Sequence, residues 1–188
     1  MPDSIEVRKA RLADIPAMAS LINAYAAEAI MLPRTEFELA EGVRDFTVVY
    51  QDGVFRACGA LHIYTADSGE IRSLAVDRGV KRGGLGRTVV EALEREAREF
   101  GLASLFAFTY VEGFFAKLGF AAVDRGELPL KAWKDCLRCP KFKACDEIAV
   151  RKQLQDKENL APITPEKGVN LLPVLARTSA IEVPFLKG

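Results

Sequence analysis

Between Glu70 and Arg87 an apolar run passes into a glycine-rich turn, and this junction limits the folds open to the chain more than any other feature. Glu70-Ile71-Arg72-Ser73-Leu74-Ala75-Val76 reads as a strand, and Lys81-Arg82-Gly83-Gly84-Leu85-Gly86-Arg87 as a turn that opens a helix over Thr88–Phe100. Such a turn can cradle a phosphate. Glycine lets the backbone approach an anion with no Cβ in the way. The first turn of the helix directs unpaired N–H groups and a positive dipole end at the same place. A Walker loop would end in Gly-Lys-Ser/Thr and a Rossmann fingerprint would read G-x-G-x-x-G; neither pattern is present.

The helix is followed by a strand over Ser104–Thr109 and then by Glu112-Gly113-Phe114-Phe115-Ala116-Lys117-Leu118-Gly119-Phe120. In this order the segments resemble the GNAT acetyltransferases. That family's pyrophosphate signature, Q/R-x-x-G-x-G/A, is similar to Lys81-Arg82-Gly83-Gly84-Leu85-Gly86, with Lys81 keeping the charge but not the planar fork of arginine. The resemblance spans roughly residues 5–152 and implies an α/β fold, a mixed and mostly antiparallel sheet flanked by helices. It also implies acetyl-CoA as co-substrate. The Leu74, Ala75 and Val76 strand would meet the thioester, and Lys81, Arg82, Gly83, Gly84, Leu85, Gly86, Arg87 and Thr88 the pyrophosphate. Phe115 and Lys117 would come from the second acetyl-CoA motif.

Composition narrows the class of partner. The 26 basic and 26 acidic side chains cancel, which gives no ground for a general nucleic-acid or membrane surface. No run of eighteen apolar residues exists, and Met1-Pro2-Asp3-Ser4 does not open a signal peptide, so a cytoplasmic location is expected. In that compartment the four cysteines are expected as thiols or metal ligands rather than disulfides.

Ile5–Arg8 reads as a first strand, and Asp14 before Ile15-Pro16 as the N-cap of a helix carrying Ile15, Met18, Ile22, Tyr25 and Ala29 on one face. A loop over Leu32-Pro33-Arg34-Thr35 leads to a short helix, Glu36–Arg44. The strands Phe46–Tyr50 and Phe55–Tyr64 then form a hairpin across Gln51-Asp52-Gly53. The helix after the glycine turn should bury Val89, Leu93, Ala97 and Phe100 and stop at Gly101. Phe120–Val123 and Ile148–Arg151 complete the sheet. Residues 1–152 are thus expected as one domain, with 153–188 a proline-punctuated tail or an arm docking on its own or a neighbouring subunit; a homodimer is left open.

The loop with Arg34, the hairpin and the Glu70–Val76 strand together resemble the acetyltransferase domain of N-acetylglutamate synthases. The segment from Glu127-Leu128-Pro129 to Trp133-Lys134-Asp135-Cys136 is similar to short single-domain members of that group. The resemblance implies L-glutamate as acceptor and Glu70 as the base that deprotonates its amine. The departing thiolate needs a proton. Phe114-Phe115 stand where many family members carry a tyrosine, which leaves Thr109 and Tyr110, or departure without assistance. Arg34 and Arg72 are the forks for the acceptor's carboxylates, and strand alternation puts Arg72 on the face of Glu70.

Cys136-Leu137-Arg138-Cys139, with Cys145 beyond, has the bite of a metal pair plus a third thiolate. Structural zinc, an iron–sulfur cluster, a redox pair and three plain thiols all fit. Cys58 reads as core and His62 as packed or exposed. Two rival functions stand beside glutamate acetylation: a GNAT enzyme for another amino acid, amine or protein N-terminus, and a non-catalytic acetyl-CoA or metal-sensing module.

Overall fold

The computed structural model describes residues 4–80, 83–128, 137, 139 and 141–155. Lys81, Arg82, Cys136 and the tail beyond Gln155, for which the sequence raises expectations, lie outside the described residues. The strands are β1 (Ile5–Lys9), β2 (Phe46–Gln51), β3 (Val54–Thr65), β4 (Ser68–Val76), β5 (Ser104–Thr109), β6 (Ala121–Ala122) and β7 (Ile148–Gln153). The helices are α1 (Ile15–Ala26), α2 (Glu36–Glu41), α3 (Leu85–Glu99) and α4 (Glu112–Ala116). The strands form one sheet in the order β1-β2-β3-β4-β5-β7-β6, antiparallel throughout except for β4 beside β5. The mixed, mostly antiparallel α/β architecture expected from the sequence is therefore present.

Period-two alternation divides the core between the two faces of the sheet. Val49, Ala57, Leu61 and Ile71 pack against Val89, Val90, Leu93 and Ala97 of α3, whereas Val48, Cys58, Ala60 and Ala75 pack against Ile15, Met18 and Ile22 of α1 and Leu39 of α2. Gly59 permits the close approach of α3, because a Cβ there would stand 2.7 Å from Val89 Cγ1.

β4 is irregular where it matters most. Ala60 pairs with Arg72 and Cys58 with Ala75, so Ser73 and Leu74 stand against Gly59 alone, and Ser73 takes the left-handed conformation at φ 52°. This bulge inverts the alternation. Glu70 and Arg72 share a face with Ala60 and His62, yet past the bulge it is Ala75 that faces α1, while Leu74 and Val76 turn towards α3. The parallel pairing with β5 covers only Ser68–Ser104, Gly69–Leu105 and Glu70–Phe106, although both strands continue. The two strands thus part company at Glu70.

Several local expectations are corrected. α1 stops at Ala26, and Ala29 lies beyond it with φ 55° rather than on its buried face. α2 is shorter than expected, with a separate 3-10 turn over Val43–Asp45. α3 begins at Leu85 rather than Thr88, and Phe100 caps its end while 62% exposed instead of entering the core. Of Phe120–Val123 only Ala121–Ala122 pairs as strand. Asp14 precedes α1 as expected but makes no capping bond to it. Its carboxylate accepts two bonds from the Arg8 guanidinium (2.7 and 2.9 Å), one from Tyr50 Oη (2.6 Å) and one from the Arg11 N–H (2.7 Å). An anion pays its desolvation only when so surrounded.

The Arg8 guanidinium, helped by the Tyr50 hydroxyl, holds the Asp14 carboxyl well below the ordinary carboxylate range. A depressed folded-state pKa contributes stability that is complete above about pH 4 and is lost as pH falls below that towards the folded value. Asp14→Asn is expected to cost about 3 kcal/mol at neutral pH by breaking a buried pair. Urea midpoints measured against pH should show wild type losing stability on acidification below about pH 4 and the variant losing less.

Candidate active site

Two recesses flank the C-terminal half of β4. The first, about 300 Å³, is lined by the loop after α1, by β4 from Glu70 to Leu74, by the end of β5 and by the segment around Cys139–Glu147. It gathers Arg34, Glu70, Arg72, Thr109, Tyr110, Cys139 and Cys145, candidate residues spread over much of the chain. Arg125, Lys141 and Glu147, which no sequence motif singles out, complete the wall. With Arg34 and Arg72 this makes four cationic side chains against two carboxylates, so the recess favours an anionic occupant.

Each wall has a local cause. Asn23 near the end of α1 clamps the Arg34 backbone in both directions, donating to its carbonyl (2.9 Å) and accepting from its N–H (3.0 Å). Thr35 and Glu38 then form a capping box, Thr35 Oγ1 accepting from the Glu38 N–H and Glu38 Oε2 from the Thr35 N–H. The loop is thereby held at both ends over the recess. Tyr25 Oη donates to the Val76 carbonyl at 2.7 Å and ties α1 to the end of β4. Glu70 is 8% exposed, a buried carboxylate at the point where β4 leaves β5.

On the opposite wall Thr109 is buried, its Oγ1 accepting from the Val111 N–H at 3.0 Å. Tyr110 Oη donates to Asp146 Oδ1 at 2.9 Å and accepts from Lys141 Nζ at 3.2 Å. Desolvation raises the Tyr110 pKa, so the phenol holds its proton at neutral pH. Burial likewise raises the Glu147 carboxyl. Cys145 Sγ lies 3.8 Å from Glu147 Oε2. Among the described residues no group of three or more His, Cys, Asp or Glu side chains is placed to hold a metal ion; the expected third thiol, Cys136, lies outside them.

The second recess, about 390 Å³, is the glycine turn itself with Val76, Arg87, Phe114 and Lys117 around it. Gly84 is the N-cap of α3 with φ 66°, a conformation costly for any residue with a side chain. Beyond it the N–H groups of Leu85, Gly86 and Arg87 open the helix with no partner within it. Thr88, by contrast, spends its N–H and hydroxyl on the Gly84 carbonyl. The second acetyl-CoA motif is expected to contribute Phe115 to the cofactor site; Phe115 is buried and lines the first recess, and Phe114 meets Gly86 in the second. The phenylalanine pair thus stands between the two recesses.

Two further residues behave as anticipated. Cys58 is fully buried, and burial pushes its thiol up to about 12. His62 is packed, with Nδ1 3.0 Å from Asp45 Oδ2 and 3.1 Å from Arg72 Nη2. Native-state labelling at about pH 8 with a thiol reagent should leave Cys58 unmodified, as read by peptide mass spectrometry; modification before unfolding would contradict its burial.

Comparison with known proteins agrees with this geometry. Residues 16–120 match the acetyltransferase (GNAT) family model. An N-acetyltransferase of Chlorobaculum tepidum described as uncharacterised is 42% identical over 148 residues, covering 79% of this chain and 96% of that protein. The amino-acid acetyltransferase of Mycobacterium tuberculosis is 36% identical over 121 residues, 63% of this chain and 69% of that one. Among solved structures, N-acetylglutamate synthase from Neisseria gonorrhoeae complexed with coenzyme A and N-acetyl-glutamate superposes with a TM-score of 0.74 at 29% identity. That match covers 81% of this chain but only 36% of the synthase, so this chain spans about a third of it. The chain belongs to the acetyltransferase (GNAT) family.

Proposed function

We propose that this GNAT acetyltransferase moves the acetyl group of acetyl-CoA onto the α-amine of L-glutamate, the step that opens arginine biosynthesis. One observation carries the choice of acceptor: Glu70 shares a single small recess with Arg34 and Arg72, so a base and two carboxylate forks serve one bound molecule. The likeness to amino-acid acetyltransferases, and to a synthase complexed with coenzyme A and N-acetyl-glutamate, supports the same reading. A cationic acceptor such as a polyamine would meet four positive side chains in that recess.

In this reading the pyrophosphate rests on the glycine turn and the first N–H groups of α3, with Lys81, Arg82, Arg87 and Lys117 supplying charge. The acetyl thioester enters where β4 and β5 separate, and N–H groups of the Leu74–Val76 stretch polarise its carbonyl. Arg34 and Arg72 hold the acceptor's carboxylates. Glu70 takes a proton from the ammonium, directly or through a water. The amine nitrogen then bonds to the carbonyl carbon and the C–S bond breaks; the thiolate leaves with a proton from Tyr110 or Thr109, and the second proton shed by the nitrogen replaces it. Tyr110 suits this role because it lines the recess and a phenol carries its proton at neutral pH.

Coenzyme A release measured over a panel of amino acids and amines tests the assignment. Glutamate should be the best acceptor; turnover of a polyamine with none of glutamate would overturn it. Glu70→Gln is expected to lower kcat by roughly 10²–10⁴ and to leave acetyl-CoA affinity unchanged. Its deficit should shrink as pH rises and free amine becomes abundant. A deficit constant across pH would assign Glu70 to positioning instead.

Gly84→Val should weaken coenzyme A binding at least tenfold by calorimetry, because valine resists the left-handed conformation of that turn. The cysteine segment remains a candidate for structural zinc through Cys136, Cys139 and Cys145. Protein purified without chelator should then carry about one zinc per chain and melt lower once it is stripped. Less than about a tenth of an equivalent would leave three ordinary thiols.

A further inference from the structure

Behind Arg72, outside the recess wall, lies a polar cluster that neither the base nor the carboxylate forks account for. His62 stands opposite Glu70 in the β3–β4 register, and its Nδ1 is shared by Asp45 Oδ2 at 3.0 Å and Arg72 Nη2 at 3.1 Å. Directly opposed residues on neighbouring strands present their side chains to one face, so His62, Glu70 and Arg72 project together towards α1. The ring is fixed from its own strand by Tyr64, edge-on at 4.7 Å. Asp45 comes from the 3-10 turn just before β2.

A ring nitrogen offers either a lone pair or a hydrogen, never both. With a bare Nδ1, His62 accepts from the Arg72 guanidinium. With a hydrogen on Nδ1, as in the imidazolium, it donates to Asp45 and turns an N–H and a positive charge at Arg72. Resting on the reading of Arg72 as a carboxylate fork, we infer that His62 and Asp45 are positioning residues for the acceptor: His62, through a bare Nδ1 and with Asp45 Oδ2 beside the same nitrogen, helps to hold the Arg72 guanidinium in the recess. Acceptor binding then depends on the only histidine in the chain, whereas acetyl-CoA binding does not.

Steady-state kinetics with both substrates varied test the inference. His62→Leu removes the acceptor atom and should raise the KM for glutamate about tenfold, the effect of losing a hydrogen bond to a charged group. The acetyl-CoA KM and kcat should stay within about twofold. In an Arg72→Ala background the same change should add nothing. His62→Gln offers Arg72 an amide oxygen in place of the ring nitrogen. It should restore a near-wild-type KM. An unchanged KM in folded His62→Leu, an undiminished effect in the Arg72→Ala background, or a KM in His62→Gln as high as in His62→Leu would each overturn it.

A readout without acceptor separates this failure from failure of the glutamate assignment. Nitrogen-15 shifts of His62 at about pH 8 should show a bare Nδ1 and a hydrogen on Nε2. The opposite tautomer would overturn the inference whichever amine the enzyme acetylates, and a different best amine would leave it standing with that amine in the same comparison.

Discussion

The separation of β4 from β5 after Glu70 is the constraint from which the rest of the structure follows. Three residue pairs hold the two strands together, and beyond them both continue without pairing. An open strand edge inside a protein leaves backbone donors and acceptors that something else must meet. α1 and its following loop cover one side of the opening, α3 and the glycine turn lie at its far end, and the Phe114-Phe115 pair stands on the β5 side. The Ser73 bulge is the second half of the same device. It sends Glu70 and Arg72 to the α1 face and Leu74 and Val76 to the α3 face, so one strand serves both recesses.

What could be read from sequence follows the range of the interactions involved. The two motifs flanking α3 are contiguous, and their chemistry is local: glycine conformations, helix N–H groups and apolar spacing. The hairpin, the central strands and the buried faces of α1 and α3 were legible for the same reason. The errors fall where a local signal has two solutions. Asp14 stands in a capping position, yet a carboxylate with an arginine and a tyrosine hydroxyl brought to it by β1 and β2 satisfies itself better there. Glycine at Gly84 reads as delaying the helix, whereas its left-handed conformation starts α3 at once. The Ser73 bulge leaves no mark, since serine is an ordinary strand-edge residue.

The site itself was half legible. Glu70, Arg34 and Arg72 were nameable because each lies in a recognisable segment, but that they converge on one recess required the fold. Arg125, Lys141 and Glu147 carry no local signature and arrive through β7 and the turns before it. Asn23 is one polar residue on a mostly apolar helix, and only its double bond to the Arg34 backbone gives it meaning. The Thr35-Glu38 capping box is different: its spacing is written in the sequence and accounts for α2 starting at Glu36, as the sequence leads one to expect.

The central claim is that the glycine turn and the arginine-lined recess are two ends of one continuous site with Glu70 between them. A bisubstrate molecule, in which the sulfur of coenzyme A is joined through an acetyl-sized linker to the α-nitrogen of glutamate, spans that distance only if the claim holds. Its dissociation constant measured by calorimetry against that of coenzyme A is the most direct test. The structure predicts binding at least about a hundredfold tighter than coenzyme A, since linkage converts the second contact into an intramolecular one, with most of the gain lost in Arg34→Ala. An affinity equal to that of coenzyme A would mean that the two recesses do not serve one reaction.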